Sequence, residues 1–346
     1  MGSSPIFRTI LFTYKRIYSM NSKVLSLFVI FSLQLFSQTM DPAANTYYRL
    51  GSEKIKAKDF QNAVAYYDSA LLTSQDHRIF YYKGIALRML ERNNDAIAVF
   101  NECIKVNPNY DQTYNALGSA YYVTNNMDLA IANFKKFIEI TTDTARVEKV
   151  REYIGKAYTK IAIENLGKRN PTLSIANLDE AKNYNKIDDI SSYYAKAYTL
   201  IATDLISRNS MDSATYALDK AVEYNKSDSI YYAKSYCQIA SELINRNSYD
   251  SANKVIEKAL ALNQLDIAYL YLAKLNTKTE NWDAAIANSE KALSLKSNIS
   301  IGGPNLYLGI SYRAKGDKAK AKKYLIIAQT DEKYKKSAEA ELQKIK

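Results

Sequence analysis

The sequence predicts an all-α chain, built as a solenoid of about eight stacked helix pairs rather than one globular core. Three observations predict it. First, a spaced set of small and apolar residues returns along the chain. Phe80, Gly84, Leu87, Ala96, Phe100 and Cys103 are followed by Tyr114, Leu117, Gly118, Tyr121, Ala130, Phe134 and Phe137. Second, the step from Gly84 to Gly118 is 34 residues, the length of a stacked helix pair. Third, only 10 glycines and 5 prolines interrupt 346 residues, while Ala, Leu, Ile, Lys and Tyr abound, as suits a mostly helical chain. The 30 tyrosines, often paired as at Tyr81–Tyr82 and Tyr121–Tyr122, suit half-wet positions with the ring packed and the hydroxyl in water.

The first segment, 1–39, reads as a targeting signal. Lys23 precedes an uncharged run from Val24 to Phe36, and Ser37-Gln38-Thr39 supplies small residues near a cleavage point. A short apolar run behind a positive flank fits a secretory signal and falls short of the roughly 20 residues that span a bilayer. Met20 is an alternative start. Cleaved, the segment places the protein in the periplasm or at the envelope; kept, it makes a membrane anchor. Asp41 to Asn45 reads as a spacer, with residues 40–43 outside the repeats.

The repeats themselves have a register. Their starts fall at Ala44, His77, Asp111, Gly155, Ala195, Ala233, Asp266 and Gly302. A small residue follows at Gly51, Gly84, Gly118, Ala162, Ala202, Ala240, Ala273 and Gly309. A second small set is Ala63, Ala96, Ala130, Ser174, Ala214, Ala252, Ala285 and Ala321. A third is Ala70, Cys103, Phe137, Ala181, Ala221, Ala259, Ala292 and Ala328, in which Phe137 is the one large residue. Closely crossing helices exclude a large side chain at their contact point.

These residues resemble the tetratricopeptide repeat (TPR), whose units are antiparallel helix pairs with small residues at positions 8, 20 and 27 and large apolar ones at 4, 7, 11 and 24. The resemblance covers about residues 44–330. It implies a right-handed superhelical α-solenoid that binds proteins or peptides in a concave groove. On it, residues 44–142 form three repeats and 155–330 five more, with 143–154 as a charged, helix-favouring junction that extends the next helix backwards. The fifth and sixth repeats are long but alike, YYAKAYTLIA at 193–202 returning as YYAKSYCQIA at 231–240. Asn209-Ser210 and Asn247-Ser248 mark their turns. Gly302-Gly303-Pro304 reads as the linker into the last repeat, and residues 331–346 as a basic capping helix with a polar outer face.

No catalytic constellation is present. The one histidine, His77, stands beside Asp76 without a Ser or Cys nucleophile placed to use it, and reads as an exposed turn residue. No His, Cys and carboxylate set has metal-ligand spacing, so neither a metal nor a cofactor is expected. Cys103 and Cys237 fall in the second and sixth repeats, too far apart for a disulfide, and read as small packing residues. The formal charge of +11 is concentrated at the ends: residues 1–40 carry +4 and 313–346 carry +6, leaving the body near neutral. A nucleic-acid binder carries its surplus as a continuous stripe, so nucleic acid is not the expected partner. The basic end could touch an anionic surface or form the soluble face of the cap.

The expected site is therefore the groove. In the family it is lined by the first helix of each unit, through positions 2, 5, 9, 12 and 13. Those positions hold Lys156, Lys196 and Lys234 in three successive repeats, and Tyr48, Tyr81 and Tyr122 in the first three. The lysines would attract an acidic segment or a chain-end carboxylate, or form only a solvated row. The tyrosines would anchor a peptide, or pack on the neighbouring repeat. The family's carboxylate clamp places Lys and Asn where this chain has Tyr48 and Ser52, with Ile85 in the second unit, so that activity is not implied. The expected function is an exported, non-enzymatic scaffold, with a membrane-tethered adaptor and a cell-wall or carbohydrate-binding module as alternatives. The partner and the oligomeric state are not legible.

Overall fold

The structure is a computed structural model that describes residues 40–184, 190–295 and 299–345. The signal-like segment 1–39 lies outside the described residues. Seventeen helices and no strands occur among those residues. They form eight pairs and a final single helix. The chain divides into two compact units at Ala157/Tyr158.

The first unit holds α1 (Pro42–Lys56) with α2 (Phe60–Leu71), α3 (His77–Met89) with α4 (Asn93–Val106), and α5 (Asp111–Val123) with α6 (Met127–Ile140). It ends within α7 (Thr144–Gly167). The expected spacer after residue 40 is instead the start of α1. The Asp41 carboxylate accepts from the Ala43 and Ala44 backbone N–H groups at 2.9 and 3.1 Å, and Pro42 opens the helix where no N–H is needed. Residues 145–154 form the first part of α7.

The second unit holds the rest of α7 with α8 (Pro171–Tyr184), then α9 (Ser191–Ser207) with α10 (Met211–Tyr224), and α11 (Ser229–Asn245) with α12 (Tyr249–Leu262). It continues with α13 (Asp266–Lys278) and α14 (Trp282–Ser294), α15 (Gly302–Ala314) and α16 (Lys318–Gln329), and α17 (Lys335–Gln343). Tyrosine hydroxyls tie neighbouring pairs together. Tyr194 donates to Asp179 at 2.5 Å and Tyr236 to Asp219 at 2.6 Å.

One packing rule recurs. The small residue of each first helix faces the residue sixteen positions later in the second helix. In the first three repeats glycine stands opposite a ring: a β-carbon at Gly51 would lie 2.8 Å from Tyr67, and at Gly118 2.5 Å from Phe134, whereas in the last repeat one at Gly309 would lie 2.5 Å from Leu325. Gly84 likewise meets the Phe100 ring. Where the opposing residue is Leu178, Leu218, Ile256 or Ser289, the chain uses Ala162, Ala202, Ala240 or Ala273. The volume of the crossing is thus shared between the two partners. Phe137, the large residue at an otherwise small position, is fully buried.

Each pair closes with the same turn. Lys58, Glu91, Asn125, Arg169, Asn209, Asn247, Glu280 and Gly316 have φ between 57° and 83°. The next residue then returns a backbone bond to a carbonyl five residues back, as in Asp59 to Lys54 at 2.9 Å and Arg92 to Leu87 at 3.0 Å. This is a Schellman closure, achieved mostly without glycine. The residue that follows the left-handed one also starts the second helix, and it is polar in all eight turns.

Gly302-Gly303-Pro304 is not a linker. It forms the buried first turn of α15, because the cap folds back over it. A β-carbon at Gly303 would lie 2.8 Å from the Tyr334 hydroxyl and 2.9 Å from Leu270. The cap is held by Ala338, buried against Leu306, Leu325 and Ala328, and by Arg313 donating to Glu341 at 2.8 Å. Lys333, Lys335 and Lys336 face solvent.

Candidate functional site

The first helices of the second unit carry the candidate grooves. In the second unit, α7, α9 and α11 line an open cavity of about 820 Å³. Its wall includes Ile163, Tyr193, Leu200 and Tyr231, with Lys196 and Asp228 as its charged side chains. Three successive repeats contribute because the first helices lie side by side, each offering one face at helical spacing. The Lys196 ammonium sits 5.6 Å from the Tyr193 ring centre, a cation–π distance. Tyr231 is 47% exposed, leaving its ring available within the cavity. Asp228 precedes α11 without capping it through its side chain.

A second cavity, of about 520 Å³, lies along α9 and α11. It is more polar, and Lys234, Gln238, Ser241, Glu242 and Tyr271 line it. Glu242 is already paired with Arg246 at 3.3 Å, which leaves Lys234 as the cavity's unbalanced charge among the described residues.

The structure therefore sorts the three expected lysines. Lys196 and Lys234 occupy neighbouring cavities of one unit and form no ion pair with a described residue. Lys156 belongs to the other unit, is paired with Glu152, and lies 5.7 Å from the Tyr153 ring centre. All three are exposed.

In the first unit the expected tyrosines are half-buried and reach the next repeat. Tyr48 packs edge-on against Tyr82 at 5.7 Å between ring centres. Tyr81 packs on Tyr110 at 5.3 Å, and Tyr122 on Tyr153 at 5.9 Å. Burial pushes the Tyr48 hydroxyl up to about 12 and raises Tyr81 as well. These rings bind neighbouring repeats together and show only part of their surface to the groove.

His77 is the first residue of α3, not an exposed turn residue. Asp76 caps that helix and accepts from the Arg78 N–H at 2.8 Å, which draws His77 into the fold. Its ring lies 4.7 Å from Tyr110, and burial lowers its pKa. Cys103 and Cys237 are buried free thiols. Cys103 lies 3.0 Å from the Thr113 hydroxyl.

Sequence reasoning passed over Arg88. It stands in α3 at the repeat position that Tyr122 holds in α5, and that shared position was the available signal. Its Nε is shut off from solvent and meets no acceptor among the described residues.

Sequence patterns described as tetratricopeptide repeat match residues 48–111, 111–144, 233–264 and 305–328. The chain is a tetratricopeptide repeat protein. Among curated relatives, heat shock protein STI1 of Saccharomyces cerevisiae is 30% identical over 103 residues, covering 29% of this TPR chain and 18% of STI1. The small glutamine-rich tetratricopeptide repeat-containing protein 2 of the same yeast is 26% identical over 104 residues, covering 30% of each chain. The TPR chain thus spans less than a third of the length of these relatives. Among solved structures, the TPR2AB-domain:pHSP90 complex of yeast Sti1 covers 81% of this chain and 98% of that one, with 14% identity and a TM-score of 0.41. As a TPR protein, the chain is a protein-interaction scaffold.

Proposed function

We propose that the chain is an exported, non-enzymatic scaffold that holds a segment of another protein in the grooves of its first helices, in the assembly or traffic of envelope proteins. The observation that carries this reading is the cavity of about 820 Å³ shared by α7, α9 and α11. Ring and aliphatic walls with a few placed charges suit the side chains of a bound segment. Export rests on the uncharged run behind Lys23 and the small residues at Ser37 to Thr39. Among the described residues no helix is long and apolar enough to cross a membrane. The carboxylate clamp of the family is not proposed for this chain, because Tyr48, Ser52 and Ile85 stand at its positions.

The groove is tested with a photo-reactive residue in place of Tyr231, in the full chain, inside intact cells. A defined protein should be captured. The double variant K196E/K234E should capture several-fold less of it while melting as the parent does. Equal capture by that variant would show that the lysines are merely solvated. Location is tested by sequencing the mature N-terminus. A start near Gln38 or Met40 supports export, and an intact Met1 or Met20 supports tethering. Retention on purified cell wall in place of protein capture would favour a carbohydrate-binding role.

A further inference from the structure

The open cavity lined by α7, α9 and α11 carries one charged side chain of each sign, Lys196 and Asp228. Both are exposed, and neither forms an ion pair with the other or with any described residue. Each charge has a local reason to stay where it is. The Lys196 ammonium lies 5.6 Å from the centre of the Tyr193 ring on its own helix, a cation–π contact. Asp228 stands immediately before α11, where the positive end of the helix favours an anion. Its side chain makes no cap hydrogen bond there, so its oxygens are open to a ligand.

The rest of the wall is largely apolar. Ile163 and Leu166 come from α7, Leu200 from α9 and Tyr231 from α11. The Tyr231 hydroxyl lies 3.4 Å from that of Thr203 on α9, which makes these two first helices neighbours across the cavity. Ile163 and Tyr231 are 40% and 47% exposed and keep apolar surface that a ligand can cover.

Desolvation says what that ligand carries. A polypeptide segment that fills the cavity takes water from Lys196 and Asp228 in the same step. A charge covered without a counter-charge opposes binding. A segment with carboxylates alone answers Lys196 and is repelled by Asp228, and one with cations alone has the reverse fault. Neighbouring packed helices lie roughly 8–10 Å apart, and an extended chain advances about 3.3 Å per residue. The two matching charges would then stand about three residues apart in the segment.

We propose that this cavity selects a partner segment of mixed charge: a carboxylate that meets Lys196, a lysine or arginine that meets Asp228, and an apolar side chain between them on Ile163, Leu200 and Tyr231. This rests on the groove-binding reading above and adds to it the residue pattern that the groove accepts. A purely acidic segment, which Lys196 by itself would admit, is disfavoured by Asp228.

The test uses the full chain and an immobilised array of end-capped peptides. Each has a central Leu or Phe between two variable positions about three residues apart. Those positions hold Glu with Lys in both orders, two Glu, two Lys, or two Gln. The parent should retain the mixed set over every other set by about threefold or more, the worth of one partly covered ion pair. K196E should transfer the preference to the two-Lys set, and D228K to the two-Glu set. The milder K196Q should hold mixed and two-Lys peptides equally. All three variants should melt as the parent does, since both side chains are exposed. Equal retention of two-Glu and mixed peptides by the parent overturns the proposal and leaves groove binding intact. So does an unchanged preference for the mixed set in K196Q or K196E. A parent that retains no peptide at all overturns the groove reading itself, and the proposal with it.

Discussion

Gly118 and Phe134 meet so closely that a β-carbon on the glycine would lie 2.5 Å from the ring's Cδ1. The ring is fully buried and cannot swing into solvent. Gly118→Ala should therefore overpack the crossing of α5 and α6, at a cost of about 1–3 kcal/mol. Gly167→Ala is the control. Nothing lies within 4 Å of a β-carbon there, so the same change should be neutral or stabilise by up to about 1 kcal/mol. Denaturant unfolding of the two variants measures both. Equal effects would remove the packing rule.

The hairpin turns hold a reserve of strain. Lys58, Glu91 and Glu280 occupy left-handed backbone at φ of 59°, 60° and 58°, a conformation that costs an L-residue roughly 1–2 kcal/mol. Glycine removes that cost but adds about 0.5–1 kcal/mol of chain entropy. Glu91→Gly and Glu280→Gly should each stabilise by about 0.5–1 kcal/mol, read as a higher melting temperature. Gly316→Ala, at φ 83°, should lower it.

Phe137 occupies a position where seven repeats carry Ala or Cys. Restoring the common residue would ordinarily be expected to help. The ring is fully buried, so Phe137→Ala should leave a cavity and cost about 3–5 kcal/mol. Equilibrium unfolding decides the sign. A stabilised variant would mean that the neighbouring helices close over the gap.

The thiols should be silent in the native protein. Burial pushes Cys103 up to about 11 and Cys237 up to about 12, from an ordinary 9.0. Only the thiolate reacts. A colorimetric thiol reagent at pH 8 should therefore find neither group until denaturant is added, and then both. Rapid labelling of the folded chain would contradict their burial.

Alkaline pH should unfold the chain through its tyrosines. Burial raises Tyr48 to about 12 from an ordinary 10.0, so the folded state keeps a proton that the unfolded chain loses first. Where the native state binds more protons, stability falls as pH rises. The Tyr48 contribution is fully present below pH 10 and is lost as pH climbs through the window from 10.0 to about 12. Tyrosinate absorbance should rise together with loss of helical circular dichroism. Ionisation of every tyrosine near pH 10 with helix intact would refute this.

The helix pairs and their register were legible because the contacts that define them are local. Gly118 and Phe134 are sixteen residues apart, and the small residues that permit each crossing return on a fixed step. The site was legible only in outline. Repeat position placed Lys196, Lys234, Tyr81 and Tyr122 on first helices, but it could not say which rings would be spent on the next repeat. Position did not single out Arg88, whose buried Nε only the packing reveals.

By itself, then, the sequence determined the helices, their pairing and the spots where two helices cross, since short-range apolar spacing suffices for these. Tertiary structure alone decided which charges find partners and which segments are covered. Gly302-Gly303-Pro304 is buried because Tyr334 and Asp331 fold back from some thirty residues away and Leu270 packs against it from α13. The Arg88 Nε is buried in the stacked repeats without an acceptor among the described residues. Both outcomes follow from how separate repeats stack, and no periodic signal within one repeat encodes them.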